Sequence, residues 1–309
     1  MNKPLPLTSE RIYLTDGGLE TTLIFHDGLD LPCFAAFDLM KDEAGRDTLR
    51  RYFRRYADIA SRSGCGFIFE TPTWRASADW GAKLGYSPAQ LEVVNREAVE
   101  LMDSIRKDYD TEQSPMVISG NIGPRGDGYV VDRVTSSEEA RDYHQHQVDT
   151  FAAAGTDLVT AITMNHIEEA IGVVLAAQKA GQPSVIGFTT ETDGRLPSGD
   201  SLEEAITAVD EATGNGPEYY IVNCAHFDHF SASLSDNAAW TQRIRGIRAN
   251  ASRLSHAELD ESVELDDGDP QEFGELCRQL QERFPGLFVF GGCCGTDHRH
   301  LDAARLAVC

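Results

Sequence analysis

Apolar positions along the chain fall into two patterns that take turns. The first is a set of short, nearly continuous apolar runs. They are Arg11–Asp16, Gly66–Thr71, Met116–Asn121, Asp157–Thr163, Ser184–Thr190, Tyr219–Cys224, Ile244–Asn250 and Leu287–Cys293. Runs of this length and density read as strands buried on both faces. The second pattern has helical spacing. In Thr48–Ser63 the apolar positions Leu49, Tyr52, Phe53, Tyr56, Ile59 and Ala60 recur at intervals of three and four. Ser136 followed by Glu138 and Glu139 reads as a helix start, and Ser201 with Glu204 has capping-box spacing. Gly64, Gly155 and Gly181 stand where helices should end in a left-handed residue. Strands alternating with helices predict an α/β protein, a single-domain (β/α)8 TIM barrel over residues 1–309. A doubly wound open sheet is the alternative. The turn after the first run, Asp16-Gly17-Gly18-Leu19-Glu20, is neither G-x-G-x-x-G nor a phosphate loop of the Walker type.

Composition narrows the partners. The chain has 309 residues, 41% hydrophobic and 25% charged, as expected of a globular protein. A formal net charge of −23 argues against nucleic acid and anionic membrane, which call for basic patches. No apolar run is long enough to span a bilayer, and Met1–Thr8 lacks the apolar core of a signal peptide. Seven cysteines, an odd number, argue against a disulfide framework. A cytoplasmic protein is expected. Its partners are expected to be small molecules, and a homo-oligomer is left open.

In such barrels chemistry gathers at the C-terminal ends of the strands. Those ends carry Asp16, Glu70, Thr71, Asn121, Thr163, Thr189, Thr190, Asn223, Cys224, Asn250, Cys293 and Cys294. Cys224 ends the sixth run. Cys293 and Cys294 end the eighth within Gly291-Gly292-Cys-Cys-Gly295, with a single strand between the two runs. Neighbouring residues of a strand point to opposite faces, so both cysteines can reach one ion only if the chain turns there, and the flanking glycines permit this. Three thiolates at about 2.3 Å with one position open match a catalytic zinc site. Three unrelated buried thiols fit the spacing equally well. Of the remaining cysteines, Cys33, Cys65, Cys277 and Cys309 show no partner pattern. His144 and His146 lie on a predicted helix two residues apart and read as solvated. His226 and His229 could line the mouth, and His298 and His300 should begin the last helix.

Taken together, the motifs resemble the homocysteine S-methyltransferases, the group that methylates homocysteine from betaine, S-methylmethionine or folate-linked donors. Asp16-Gly17-Gly18-Leu19-Glu20-Thr21 is similar to that family's opening strand end. Thr71-Pro72-Thr73-Trp74-Arg75-Ala76 is similar to its T-x-T-[FY]-x-A segment. Asn223-Cys224 and Gly291-Gly292-Cys293-Cys294-Gly295-Thr296 look like its N-C and G-G-C-C-G-T signatures, and Gly187–Thr190 with Asp193–Gly199 fits its fifth-strand segment. The resemblance covers essentially the whole chain. It implies the barrel and Zn2+ on Cys224, Cys293 and Cys294. It also implies that Asp16 helps bind an amino-acid thiol, and that the thiol, deprotonated by zinc, attacks a sulfonium or ammonium methyl donor.

One position departs from that pattern. Where the family ends its fourth strand with E-T, this chain reads Ile162-Thr163. An isoleucine cannot meet a substrate ammonium. Either another acid does so, with Glu70 the candidate, or the acceptor is a different thiol. A metal-binding barrel without turnover is the third reading. A lyase on the same fold would favour histidine and carboxylate ligands. Trp74 could hold a cationic donor against its face or pack beneath a loop.

Overall fold

The computed structural model describes residues 11–131 and 134–309; the expectation for Met1–Thr8 falls outside these. Its centre is a closed barrel of eight parallel strands in sequential order. The strands are β1 Tyr13–Leu14, β2 Gly66–Glu70, β3 Met116–Ile122, β4 Leu158–Met164, β5 Ser184–Phe188, β6 Tyr219–Asn223, β7 Ile244–Ala249 and β8 Val289–Gly292. The expected (β/α)8 architecture is observed. β1 is shorter than its apolar run, yet its bonding to β8 continues past the strand, through Thr15 N to Phe290 O and Gly292 N to Asp16 O.

The two-residue alternation of a strand sorts the side chains into two layers. Tyr13, Ile68, Val117, Leu158, Val185, Tyr219, Ile221 and Val289 form one cluster that fills the lower lumen. Their neighbours Phe67, Phe69, Ile118, Val159, Ile186, Val222, Ile247 and Phe290 join the larger core beneath the helices. Following the inward face upward by steps of two leads from Ile68 to Glu70, from Val117 to Ser119 and Asn121, from Leu158 to Thr160 and Ile162, and from Gly246 to Arg248 and Asn250. The lumen is therefore apolar below and polar at its mouth.

The helices obey their local signals. The helix Glu43–Ser63 is longer than its apolar stripe suggests, because Asp42 caps it six residues upstream of Thr48. Ser136 is the expected N-cap and forms a capping box with Glu139, and Ser201 forms the expected box with Glu204. Gly64, Gly155 and Gly181 take φ of 69°, 86° and 68° as left-handed C-caps. His298 opens the last helix, His298–Val308, behind the N-cap Asp297. After β6 the connection holds only short helical turns, Phe227–Phe230 followed by the 3-10 turns Ser231–Ser233 and Thr241–Arg243.

Two expectations are corrected. His144 is not solvated: it is buried on the inner face of its helix, where its Nε2 lies 2.9 Å from Glu169 Oε1, while His146 is exposed. Helical periodicity placed the pair correctly, but the partner acid stands 25 residues away on the next helix. Cysteine pairing also occurs, joining Cys65 to Cys309 and Cys224 to Cys293. The 244 residues between Cys65 and Cys309 leave no trace in local spacing, whereas Cys224 and Cys293 end the strands whose convergence the sequence already suggests. Among the described residues, no helix is long and apolar enough to cross a membrane.

Candidate active site

A cleft of about 390 Å³ opens at the C-terminal ends of the strands. Its lining gathers Asp16, Glu70, Thr71, Trp74, Ile162, Thr163, Cys224, Cys293 and Cys294. The sulfurs of Cys224, Cys293 and Cys294 lie within 4.8 Å of one another. Backbone geometry makes this convergence. The chain turns directly after β8, with Thr296 N bonded to Cys293 O and Gly295 at φ 78°, so consecutive cysteines face one point. Gly18 packs against that turn; a β-carbon there would fall 2.6 Å from the Cys293 carbonyl oxygen. Cys224 itself sits at φ 51°, in the left-handed region that non-glycine residues rarely occupy.

Thr163 shares this strain, with φ 62°, at the register shift between β4 and β5. For a β-branched residue that conformation needs support from its surroundings. Asn223 supplies it: Thr163 N donates to Asn223 Oδ1 at 3.0 Å, and Asn223 Nδ2 donates to Thr163 Oγ1 at 3.0 Å. Asn223 is fully buried and is not among the residues lining the cleft. Its side-chain amide is placed to hold Thr163. Thr163 Oγ1 in turn donates to Cys224 Sγ at 3.7 Å. Thr71 is also committed, its hydroxyl 2.6 Å from that of Thr73 and accepting from Asn121 N.

The opposite wall is charged. Asp16 is buried and engaged on both oxygens, by Arg248 Nη2 at 2.7 Å and by the Tyr52 hydroxyl at 3.1 Å. Glu70 is buried with Oε2 unpartnered, and desolvation pushes its carboxyl up to about 7 despite the nearby Arg248 guanidinium. Glu20 is raised to about 7 by the same cause. Trp74 carries the guanidinium of Arg75 4.0 Å from its ring centroid, so one face already holds a cation; Arg75 is sandwiched against Trp80 on its other side, 3.6 Å from that ring.

Sequence reasoning missed several of the cleft's residues, among them Arg248, Tyr129, His256 and Arg75. Arg248 had a signal, since an arginine two positions before an inward strand end must also point inward. Tyr129, whose hydroxyl lies 3.6 Å from Cys294 Sγ, comes from an irregular loop and had none. His256 bonds the Cys224 carbonyl through Nε2 at 2.6 Å and stacks on Tyr129 at 4.1 Å. Arg75 stood inside a noted motif, but its role depends on two tryptophans six residues apart. His226 and His229 do not line the cleft; His226 caps its own helical turn.

The likeness extends beyond motifs. Homocysteine S-methyltransferase 1 of Arabidopsis thaliana is 22% identical, over 94% of this chain and 91% of its own. Selenocysteine Se-methyltransferase of Brassica oleracea var. italica is 24% identical, over 92% of this chain and 85% of its own. Among solved structures, the metallated form of the homocysteine methyltransferase MmuM from Escherichia coli superposes with a TM-score of 0.74 at 20% identity, covering 96% of each chain. Its oxidized form gives 0.76, covering 99% of each. The family profile described as homocysteine S-methyltransferase matches residues 13–308. With that match spanning the barrel from its first strand to its last helix, the chain belongs to the homocysteine S-methyltransferase family and is an S-methyltransferase.

Proposed function

We propose that the protein moves a methyl group from a sulfonium or ammonium donor to the sulfur of homocysteine or a closely related amino-acid thiol, in a zinc-dependent reaction. The observation that carries this reading is the convergence of three cysteine sulfurs within 4.8 Å in the wall of one cleft. An all-sulfur donor set suits zinc and disfavours hard cations. Burial raises the Cys294 thiol, so three adjacent thiolates need a cation among them. Held by Cys224, Cys293 and Cys294, zinc supplies the charge that keeps an acceptor sulfur deprotonated at neutral pH. The same sulfurs of Cys224 and Cys293 can instead join as a disulfide, which makes oxidation and metal binding mutually exclusive.

The chain's own residues do the rest. Thr163 and Tyr129 place hydroxyls on the sulfurs of Cys224 and Cys294, which fixes their orientation. Seven carboxylates, among them Glu20, Asp127 and Glu264, line the cleft against two guanidiniums, those of Arg75 and Arg248. That surplus favours a positively charged donor. Ile162 lines the cleft as well, so the departure from the family pattern lies within the site. This favours a second reading in which the acceptor is another thiol or selenol.

The test is a screen of the reduced, zinc-loaded protein. Betaine, S-methylmethionine and S-adenosylmethionine are offered with homocysteine or selenocysteine, and products are read by mass spectrometry. Methionine formed from at least one donor is expected. Transfer to selenocysteine alone would favour the second reading. A fully zinc-loaded protein that transfers to neither would overturn both.

A further inference from the structure

We propose that Arg248 receives the acceptor's carboxylate and Glu70 its ammonium, so that amino-acid recognition in this barrel rests on β7 and β2. The inference rests on the reading that the acceptor is an amino-acid thiol.

Arg248 is 4% exposed in the mouth of the lumen. A buried guanidinium is costly unless its donors are used. Nη2 donates to Asp16 at 2.7 Å and Nε to the Gly292 carbonyl at 3.2 Å, which fixes the plane of the group. Nη1 makes no hydrogen bond and has only a long ion-pair contact, 4.0 Å from Glu70 Oε1. Three buried acceptors are also unpartnered: Glu70 Oε2, Asn121 Oδ1 and Asn250 Oδ1. All four residues line the cleft that holds the cysteines. Proteins rarely leave such groups unpaired in their interior.

The vacant set has a definite chemistry. One guanidinium N–H matches a carboxylate oxygen, and three oxygens, one of them on a carboxylate, match the three N–H donors of an ammonium. Asp16 already neutralises Arg248, so Glu70 remains as the counter-ion for an incoming cation. Ile162, which also lines the cleft, offers neither charge nor side-chain hydrogen bond. The head-group site is also tied to the sulfur site. Cys224 N donates to the Arg248 carbonyl, and the Arg248 side chain bonds the residue before Cys293. An α-amino acid with a short thiol side chain fits that proximity. Asp16 is then a positioning residue for Arg248.

Two truncated acceptors test this in the zinc-loaded enzyme. 3-Aminopropanethiol lacks the carboxylate of homocysteine, and 4-mercaptobutanoate lacks the amino group. Binding is measured by calorimetry without donor, and kcat/KM with donor. The wild type should prefer homocysteine over each by at least about tenfold, the size of one charged hydrogen bond. Arg248→Met should abolish discrimination against 3-aminopropanethiol and keep that against 4-mercaptobutanoate; Glu70→Gln should do the reverse. If Arg248→Met does not fold, the double variant Asp16→Asn/Arg248→Met removes both buried charges together. A purely structural role would lower all three acceptors alike, and that result overturns the proposal. So does a wild type that binds the truncated thiols as tightly as homocysteine. A wild type that binds no homocysteine refutes the underlying reading instead.

Discussion

The two walls of the cleft are built differently. On the β6 and β8 side, three sulfurs are brought together by tight turns, each within a few residues of contiguous sequence. On the β1, β2 and β7 side, charges meet across the lumen, and the Asp16–Arg248 pair spans 232 residues. The sulfur wall is built from turn motifs similar to the family's, while the charged wall is assembled by barrel register; the departure from the family pattern, Ile162, is an inward-facing position of β4. The contrast suggests that this fold keeps its chemistry in turn motifs and its selectivity in inward-facing strand positions, which can change one at a time.

If that division holds, damage to the sulfur wall should be the more severe. Cys294→Ser should lower methyl transfer at least about a hundredfold, beyond what losing a supporting contact costs. It should also reduce zinc content measured by mass spectrometry, with the unfolding midpoint nearly unchanged because the barrel core carries the stability. On the charged wall the largest effect should be on folding. Arg248→Met leaves Asp16 buried and unpaired, and should cost about 3–5 kcal/mol in denaturant titration. Adding Asp16→Asn should recover most of that loss.

Asn223 supports the sulfur wall, since it braces Thr163, which touches Cys224. Asn223→Ala should lower kcat roughly tenfold or more while leaving acceptor KM nearly constant, because it shifts geometry and removes no ligand contact. A change confined to KM would place Asn223 in the binding surface instead.

Glu70 gives a pH signature of about tenfold at most. Its carboxyl is raised to about 7 by desolvation, with Arg248 opposing and Asp16 adding to the rise, while the Ser119 and Thr160 hydroxyls oppose it. Tyr219 also lies nearby, and burial keeps it neutral. Only ionised Glu70 attracts an ammonium, so acceptor KM should fall as pH rises through about 7. Glu70→Gln should remove that dependence. The smallest effect belongs outside both walls: Cys309→Ser removes the bond to Cys65 and should leave kcat/KM unchanged.

How much of this was legible in the sequence follows the same division. The strands, the capping boxes, the glycine C-caps and the three cysteines were readable because each is encoded within a few neighbouring residues. His144 was placed on its helix but not against Glu169, because helix-to-helix contact is not a local property. Arg248 lay within a recognised strand, and only the inward alternation ending at Asn250 distinguishes it from Arg245. Tyr129 and the Cys65–Cys309 bond depend on loop path and chain closure, which leave no periodic trace.

The central claim is that the three sulfurs hold a metal on which the acceptor's sulfur is activated. Zinc X-ray absorption on reduced protein, before and after adding homocysteine without donor, tests it most directly. Three sulfur ligands should be seen first and a fourth after homocysteine is added, at about 2.3 Å. Zinc bound without sulfur ligands, or a coordination shell that homocysteine leaves unchanged in protein that still transfers methyl groups, would contradict the account.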